Sequence, residues 1–156
     1  MNEEEKERVE KANNYFAVDC FNQIWDILDK PEKSSEELET IIHLAHTSLW
    51  HWSKNPKAEP ANLATGYWML SRVYAVAKNA LQSLFFAQKC LEVTQKNNLS
   101  PFSFGYAYEA FARAYKVNQN EEKKRESLEK AFQYAEQIQN EDKDYLLADL
   151  KEIQEK

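Results

Sequence analysis

The residues best suited to chemistry are the three histidines, which all fall on one short segment. His43 and His46 are three positions apart, so on a helix they share a face, with Trp50 beside them, while His51 points elsewhere. Two imidazoles at this spacing can ligate zinc or iron, but a stable site needs one or two further ligands. No HExxH motif is present, and nothing in the sequence places further donors beside the histidines. The conceivable donors on a facing helix are Asp19, Cys20 and Asp26.

Two other constellations of reactive residues are weaker. Asp19, His46 and Ser48 can be assembled into a nucleophilic triad. A serine in the middle of a helix, however, lacks the strained turn and the oxyanion donors that acyl transfer requires. The two cysteines, Cys20 and Cys90, lie far apart and outside any CxxC pattern. That spacing indicates free buried thiols in a reducing compartment.

Composition favours one helical domain spanning residues 1–156. Apolar residues make up 43% of the chain, with only 2 Gly and 4 Pro, so long helices joined by short loops are expected. The net charge of −6 and the absence of a basic run argue against nucleic acid as a partner. No apolar run approaches the roughly 20 residues that a membrane span needs. Without a leader segment, we expect a cytoplasmic protein with no membrane contact.

Start and stop signals divide the chain into about seven helices. Pro31 ends the first helix, whose apolar stripe includes Val9 and Phe16, and Ser34 with Glu37 forms a capping-box pattern for the second. Ser100-Pro101 and Asn120 mark later starts. The last helix has an apolar side that covers the third hairpin, although docking on a partner or swapping between subunits is an alternative. The predicted hairpins span about 4–54, 61–97 and 101–139, and the capping helix about 141–155.

An internal repeat with an offset of 41 residues links the second and third hairpins. The pattern aromatic, large apolar, small, aromatic occurs at Tyr67, Leu70, Ser71 and Tyr74 and again at Tyr108, Phe111, Ala112 and Tyr115. In the following helices, Ala87, Cys90 and Leu91 match Leu128, Ala131 and Phe132, and Ala45, Ser48 and Leu49 join them at an offset of 42. Small residues let paired helices approach, and aromatic residues fill the gaps between successive pairs.

This pattern resembles the tetratricopeptide repeat, in a variant with longer helices. The period departs from the family's usual length of about 34 residues. The family's small first-helix residue is Ser71 or Ala112 here, and Lys124 occupies a position where a small residue is expected. The resemblance implies an all-α solenoid of three stacked antiparallel hairpins plus the capping helix.

The resemblance also implies a concave groove lined by the first helix of each hairpin. Arg72 and Arg113 are register-equivalent there, and beside Trp68 and Tyr106 they can hold a carboxylate and an apolar side chain of a peptide. The groove positions implied by the resemblance are Thr65, Trp68, Arg72, Ala75, Tyr106, Glu109, Arg113 and Lys116.

The same residues can instead have purely structural roles. Arg72 and Arg113 can pair with neighbouring acids such as Glu109 and only solvate the surface. Trp68 can belong to the hydrophobic core as readily as to a ligand-binding surface. With fewer than three full repeats the groove is short. It can hold a short segment or a single helix, or serve as a contact between two copies of the chain.

We therefore predict a non-catalytic interaction module that binds a protein or peptide, including ligands with acidic groups, and needs no cofactor or metal. The alternative is a small-molecule- or metal-binding enzyme built around His43, His46 and Trp50. The repeat register opposes it, because placing Ala45 and Ser48 in the hairpin seam leaves the histidines on the outer wall, packed with Trp50.

Overall fold

The computed structural model describes residues 1–155, and within them the chain forms seven α-helices and no strand. The helices are α1 Glu3–Leu28, α2 Ser35–Lys54, α3 Pro60–Val76, α4 Ala80–Lys96, α5 Pro101–Val117, α6 Glu121–Ala135 and α7 Asp142–Glu155. The all-α prediction and its stack of antiparallel hairpins are confirmed. Helix α6 ends before the predicted residue 139, because its chain tightens into bonds from Gln137 N to Tyr134 O and from Ile138 N to Ala135 O.

The predicted helix starts have their caps in place. Ser34 Oγ accepts from Glu37 N at 3.1 Å, and the Glu37 carboxylate accepts from Ser34 N at 2.9 Å, which completes the capping box. Pro60 and Pro101 occupy the first turns of α3 and α5, where no backbone donor is lost.

The turns inside the second and third hairpins repeat at the same offset of 41 residues as the side chains. Lys78 and Gln119 both have a positive φ, of 62° and 56°, which lets each helix end tightly. The next residues, Asn79 and Asn120, cap the following helices. Asn79 N donates to Tyr74 O at 2.9 Å, and Asn120 N donates to the register-equivalent Tyr115 O at 3.0 Å.

Consecutive helices pack side by side, with α3 also touching α5 and with α7 covering α5 and α6. The predicted seam is confirmed, since Ala45, Ala87 and Ala131 are all buried. Small polar residues form hydrogen bonds across the seam between α3 and α4. Ser71 Oγ donates to Ser83 O at 2.9 Å, and Ser83 Oγ donates back to Ser71 O at 2.8 Å.

Helix α7 caps the stack through its apolar side. Leu146, Leu150 and Ile153 are buried in a cluster with residues of α5 and α6. A Cβ atom on Gly105 would come within 2.5 Å of Leu146 Cδ2, so the glycine permits the close approach of α5 and α7.

The predicted apolar stripe of α1 is buried only in part. Val9 and Phe16 are 47% and 44% exposed. Asn13 of α1 is bonded to His51 near the end of α2, so the turns of α1 before Asn13 extend past its partner helix. In the described part of the chain, no helix has the length and apolar character needed to cross a membrane.

Replacing Ala131 with leucine tests the close seam. Because Ala131 is fully buried, the added carbons should overpack the α5–α6 contact and lower the free energy of unfolding by about 1–3 kcal/mol. The control is Glu129→Leu, an exposed position on the same helix, where we expect a change within about 0.5 kcal/mol. Urea unfolding followed by circular dichroism measures both, and equal effects would contradict the packing described.

Candidate functional site

The structure does not bring the three histidines together. His43 is exposed, with Nε2 3.6 Å from the Glu39 carboxylate. The Nε2 atom of His46 is 2.9 Å from the Tyr74 hydroxyl, and His51 Nδ1 is 2.9 Å from Asn13 Oδ1. Across residues 1–155, no three His, Cys, Asp or Glu side chains are grouped so that they could hold a metal ion.

The surroundings of His46 are aromatic. Its ring meets Tyr74 and Phe86 edge-on, at centroid distances of 5.9 and 5.6 Å. Burial, and secondarily the neighbouring His43, lowers the pKa of His46, which favours the neutral imidazole. Trp50 is largely exposed, and its ring contacts the Lys54 ammonium at 4.3 Å.

The other reactive candidates are also separate. Ser48 Oγ is buried and donates to Ala17 O at 2.6 Å. Asp19 accepts a hydrogen bond from Gln23 on its own helix. Both cysteines are free and buried, and burial raises the pKa of each thiol, that of Cys90 to about 12.

A buried carboxylate joins α3 to α5. Glu109 is 0% exposed. Its Oε2 accepts from Trp68 Nε1 at 2.7 Å, and its Oε1 accepts from Arg113 Nε at 2.8 Å. Burial alone would lower the pKa of Arg113, but the adjacent Glu109 charge raises it, so Arg113 remains a cation.

Arg72 lies against two neighbouring indoles, whose ring centroids are 6.2 Å apart. Its guanidinium carbon is 5.3 Å from the Trp25 ring centroid and 5.6 Å from that of Trp68, which are cation–π distances. Its nearest charge partner is Asp149, with Nη1 3.7 Å from Oδ1. In residues 1–155, Arg72 Nε and Nη1 are buried without a hydrogen-bond acceptor.

Helix α7 completes this polar network. Tyr106 donates its hydroxyl to Asp149 at 2.9 Å, and Lys116 Nζ donates to the Ile153 carbonyl at 2.9 Å. Arg113 lies 3.7 Å from the Glu152 carboxylate. Burial, together with the nearby Glu109 charge, raises the pKa of Asp149, and burial beside Asp149 raises that of Tyr106.

A largely apolar cavity of about 680 Å³ opens beside the network. Helices α1, α3, α5 and α7 contribute its aromatic wall of Trp25, Trp68, Phe102, Tyr106 and Tyr145. The rest of the lining consists of Ala64, Thr65, Cys90, Ser103, Asp144, Ala148 and Asp149. A smaller hollow of about 230 Å³ adjoins it at Thr65, and its other lining residues are Val18, Phe21, Trp52 and Asn62. We call these two hollows together the aromatic groove.

The residues that the sequence singled out for a groove lie at or near this site. Trp68, Tyr106 and Thr65 line the aromatic groove. Arg72 lies against the two indoles, and Ala75 is buried. Glu109, Arg113 and Lys116 belong to the network between α5 and α7, and the alternative pairing of Arg113 with Glu109 is present.

Several lining residues were not found from the sequence. Trp25 belongs to the first hairpin, whose longer turn breaks the repeat register, so no offset pointed to it. Tyr145, which is 67% exposed, and Ala148 lie on α7, which has no counterpart in the repeat. The one available signal was Phe102, four residues before Tyr106 and thus on the same helix face.

Removing the buried carboxylate should destabilise the protein strongly. In Glu109→Ala, Arg113 and Trp68 Nε1 lose their acceptor in a buried site, and we expect the free energy of unfolding to fall by about 3–5 kcal/mol. Replacing both partners, as Glu109→Leu with Arg113→Met, should recover much of this loss because no unpaired charge remains. Urea unfolding of Glu109→Leu, of Arg113→Met and of the double variant completes the cycle. A Glu109→Ala variant as stable as Glu92→Ala, which lies on an exposed surface, would refute the role given to Glu109.

Thiol titration tests whether the core around the two buried cysteines is inaccessible to a reagent in solution. Because burial raises the pKa of both thiols, we expect neither cysteine to react rapidly with Ellman's reagent at pH 8 in the native protein. In denaturant, both should react at once. The Cys20→Ala variant assigns any slow native phase to Cys90, which lines the cavity. Rapid native reaction of one thiol would show that the helices around it open readily.

Comparisons with protein-family models, with curated proteins and with solved structures give no match. The resemblance to tetratricopeptide repeats therefore has only the residues and the repeating geometry of this chain behind it.

Proposed function

We propose that this protein is a non-catalytic interaction module of the tetratricopeptide type and that it holds a segment of a partner protein in the aromatic groove. The observation that carries the proposal is the cavity of about 680 Å³ with five aromatic rings in its wall. Concave sites with mainly apolar walls and a few polar groups are typical of ligand-binding surfaces. Aromatic side chains also dominate the energetics of interfaces.

The arrangement of the helices supports the tetratricopeptide interpretation. Nearly the whole groove is lined by α1, α3, α5 and α7, which are the first helices of successive hairpins and the cap. Only Trp52 of α2 and Cys90 of α4 come from second helices. The tetratricopeptide resemblance implies the same division, with first helices toward the ligand. The free buried thiols suit a reducing compartment, and we place the module in the cytoplasm.

A binding role also fits the state of the nearby reactive groups. Glu109, Arg113, Tyr106 and Asp149 are engaged with one another or with Trp68. Groups held in such a network can shape a site and fix its charge. The alternative enzyme centred on His43, His46 and Trp50 gains nothing from the geometry, because these side chains contact different partners.

Filling the groove should abolish partner binding without unfolding the protein. Thr65 is exposed and lines both hollows, so Thr65→Trp places a bulky ring in the aromatic groove. The matched control is Gln88→Trp, at an exposed position of α4 outside the groove. In pull-downs from source cell lysate, we expect a partner retained by the wild type and the control and lost by Thr65→Trp.

Circular dichroism should first show that both tryptophan variants are folded. Charge reversal of Arg72 or Arg113 is a poor probe, because each is only 13% exposed and belongs to the buried network. A partner retained equally by Thr65→Trp would place the contact outside the groove and contradict the proposal.

A further inference from the structure

The charged residues that line the aromatic groove are all acidic. Asp144 and Asp149 of α7 lie in its wall, and within residues 1–155 no Lys, Arg or His lines it. Asp144 is exposed, and in the described chain its carboxylate makes no hydrogen bond or ion pair. The protein as a whole carries a net charge of −6. Aromatic rings and the unpaired Asp144 carboxylate together favour a positively charged ligand group.

We infer that the segment bound in the aromatic groove is basic and amphipathic, and that the cavity takes one of its lysine or arginine side chains. This inference rests on the proposed function. The aliphatic stem of such a side chain would lie along the apolar wall, and its charged end would reach the aromatic faces and Asp144. The molecule already contains one such contact, because the Arg72 guanidinium lies against the rings of Trp25 and Trp68.

An acidic ligand fits the site less well, although the sequence alone pointed to one. The unpartnered Arg72 donors, Nε and Nη1, are themselves buried and so not open to a ligand in the groove. Asp149 lies beside Arg72 and offsets its charge, and Glu109 offsets that of Arg113. In the groove and the adjoining network, the four carboxylates of Glu109, Asp144, Asp149 and Glu152 outnumber the three cations of Arg72, Arg113 and Lys116.

The state of Asp149 agrees with this preference. Its pKa is raised by burial and by the Glu109 charge, so its ionised form is under-compensated in the free protein. A cation entering the cavity would stabilise that ionised form. The apolar lining excludes water from such a contact and strengthens it.

Three synthetic amphipathic peptides with one apolar leucine face and a polar face of lysine, glutamine or glutamate provide the test. Binding to the full chain is measured by fluorescence anisotropy at physiological salt. We expect the lysine peptide to bind at least about tenfold more tightly than the glutamine peptide, and the glutamate peptide to bind most weakly. Thr65→Trp should abolish binding of the lysine peptide.

Asp144→Asn should lower the affinity for the lysine peptide several-fold and leave the affinity for the glutamine peptide unchanged. The matched control is Glu92→Gln, which removes one exposed charge outside the groove and should change neither affinity. Equal or tighter binding of the glutamine or glutamate peptide, blocked by Thr65→Trp, would overturn the inference and leave the proposed function intact. Lysine-peptide binding that Thr65→Trp does not reduce would show attraction to overall charge and also overturn it. Failure of all three peptides to bind in the groove would count against the proposed function as well.

Discussion

The Glu109 carboxylate is fully buried. The packing of the helices around it depends on the hydrogen-bond donors that compensate for its loss of water. A buried ionised carboxylate is tolerated only with close donors, and here Trp68 and Arg113 supply them from α3 and α5. These two helices belong to successive hairpins, so the same contact fixes how one hairpin lies against the next. Asp149 of α7 extends the network through its contacts with Arg72 of α3 and Tyr106 of α5, so α7 is held in place by the same polar contacts.

Such a network adds more to specificity of packing than to net stability. The desolvation cost of a buried ion pair offsets much of its attraction, whereas the loss of one partner is expensive. We take its role here to be the choice of one register among several that the small residues of the seam would allow. Alanines at the helix contacts permit close approach but distinguish poorly between neighbouring registers, while a directional bond from Trp68 to Glu109 does distinguish them.

The network also explains the character of the aromatic groove. Tyr106 directs its hydroxyl to Asp149, and Trp68 directs its N–H to Glu109, so the polar atoms of both residues are engaged in the network while the residues line the cavity. Five aromatic rings in an open hollow are costly to leave in water. The folded chain therefore presents a largely apolar hollow with acidic groups at its edge, which the proposed function assigns to partner binding.

The sequence by itself determined the seven helices, the caps at Ser34, Ser100 and Asn120, the offset of 41 residues and the small-residue seam. These features rest on local rules: capping, proline placement and helical periodicity act within a few residues, and the repeat can be compared along the chain. It also singled out Trp68 and Tyr106, because both fall on the first-helix face of a repeat. Only the tertiary structure brought Trp25 and the residues of α7 to the same cavity. Their placement depends on how the irregular first hairpin and the terminal helix pack against the regular pair. The tertiary structure also decided the sign of the charge at the groove. Glu109 and Asp149 offset the positive charges of Arg113 and Arg72 only once α3, α5 and α7 are packed together.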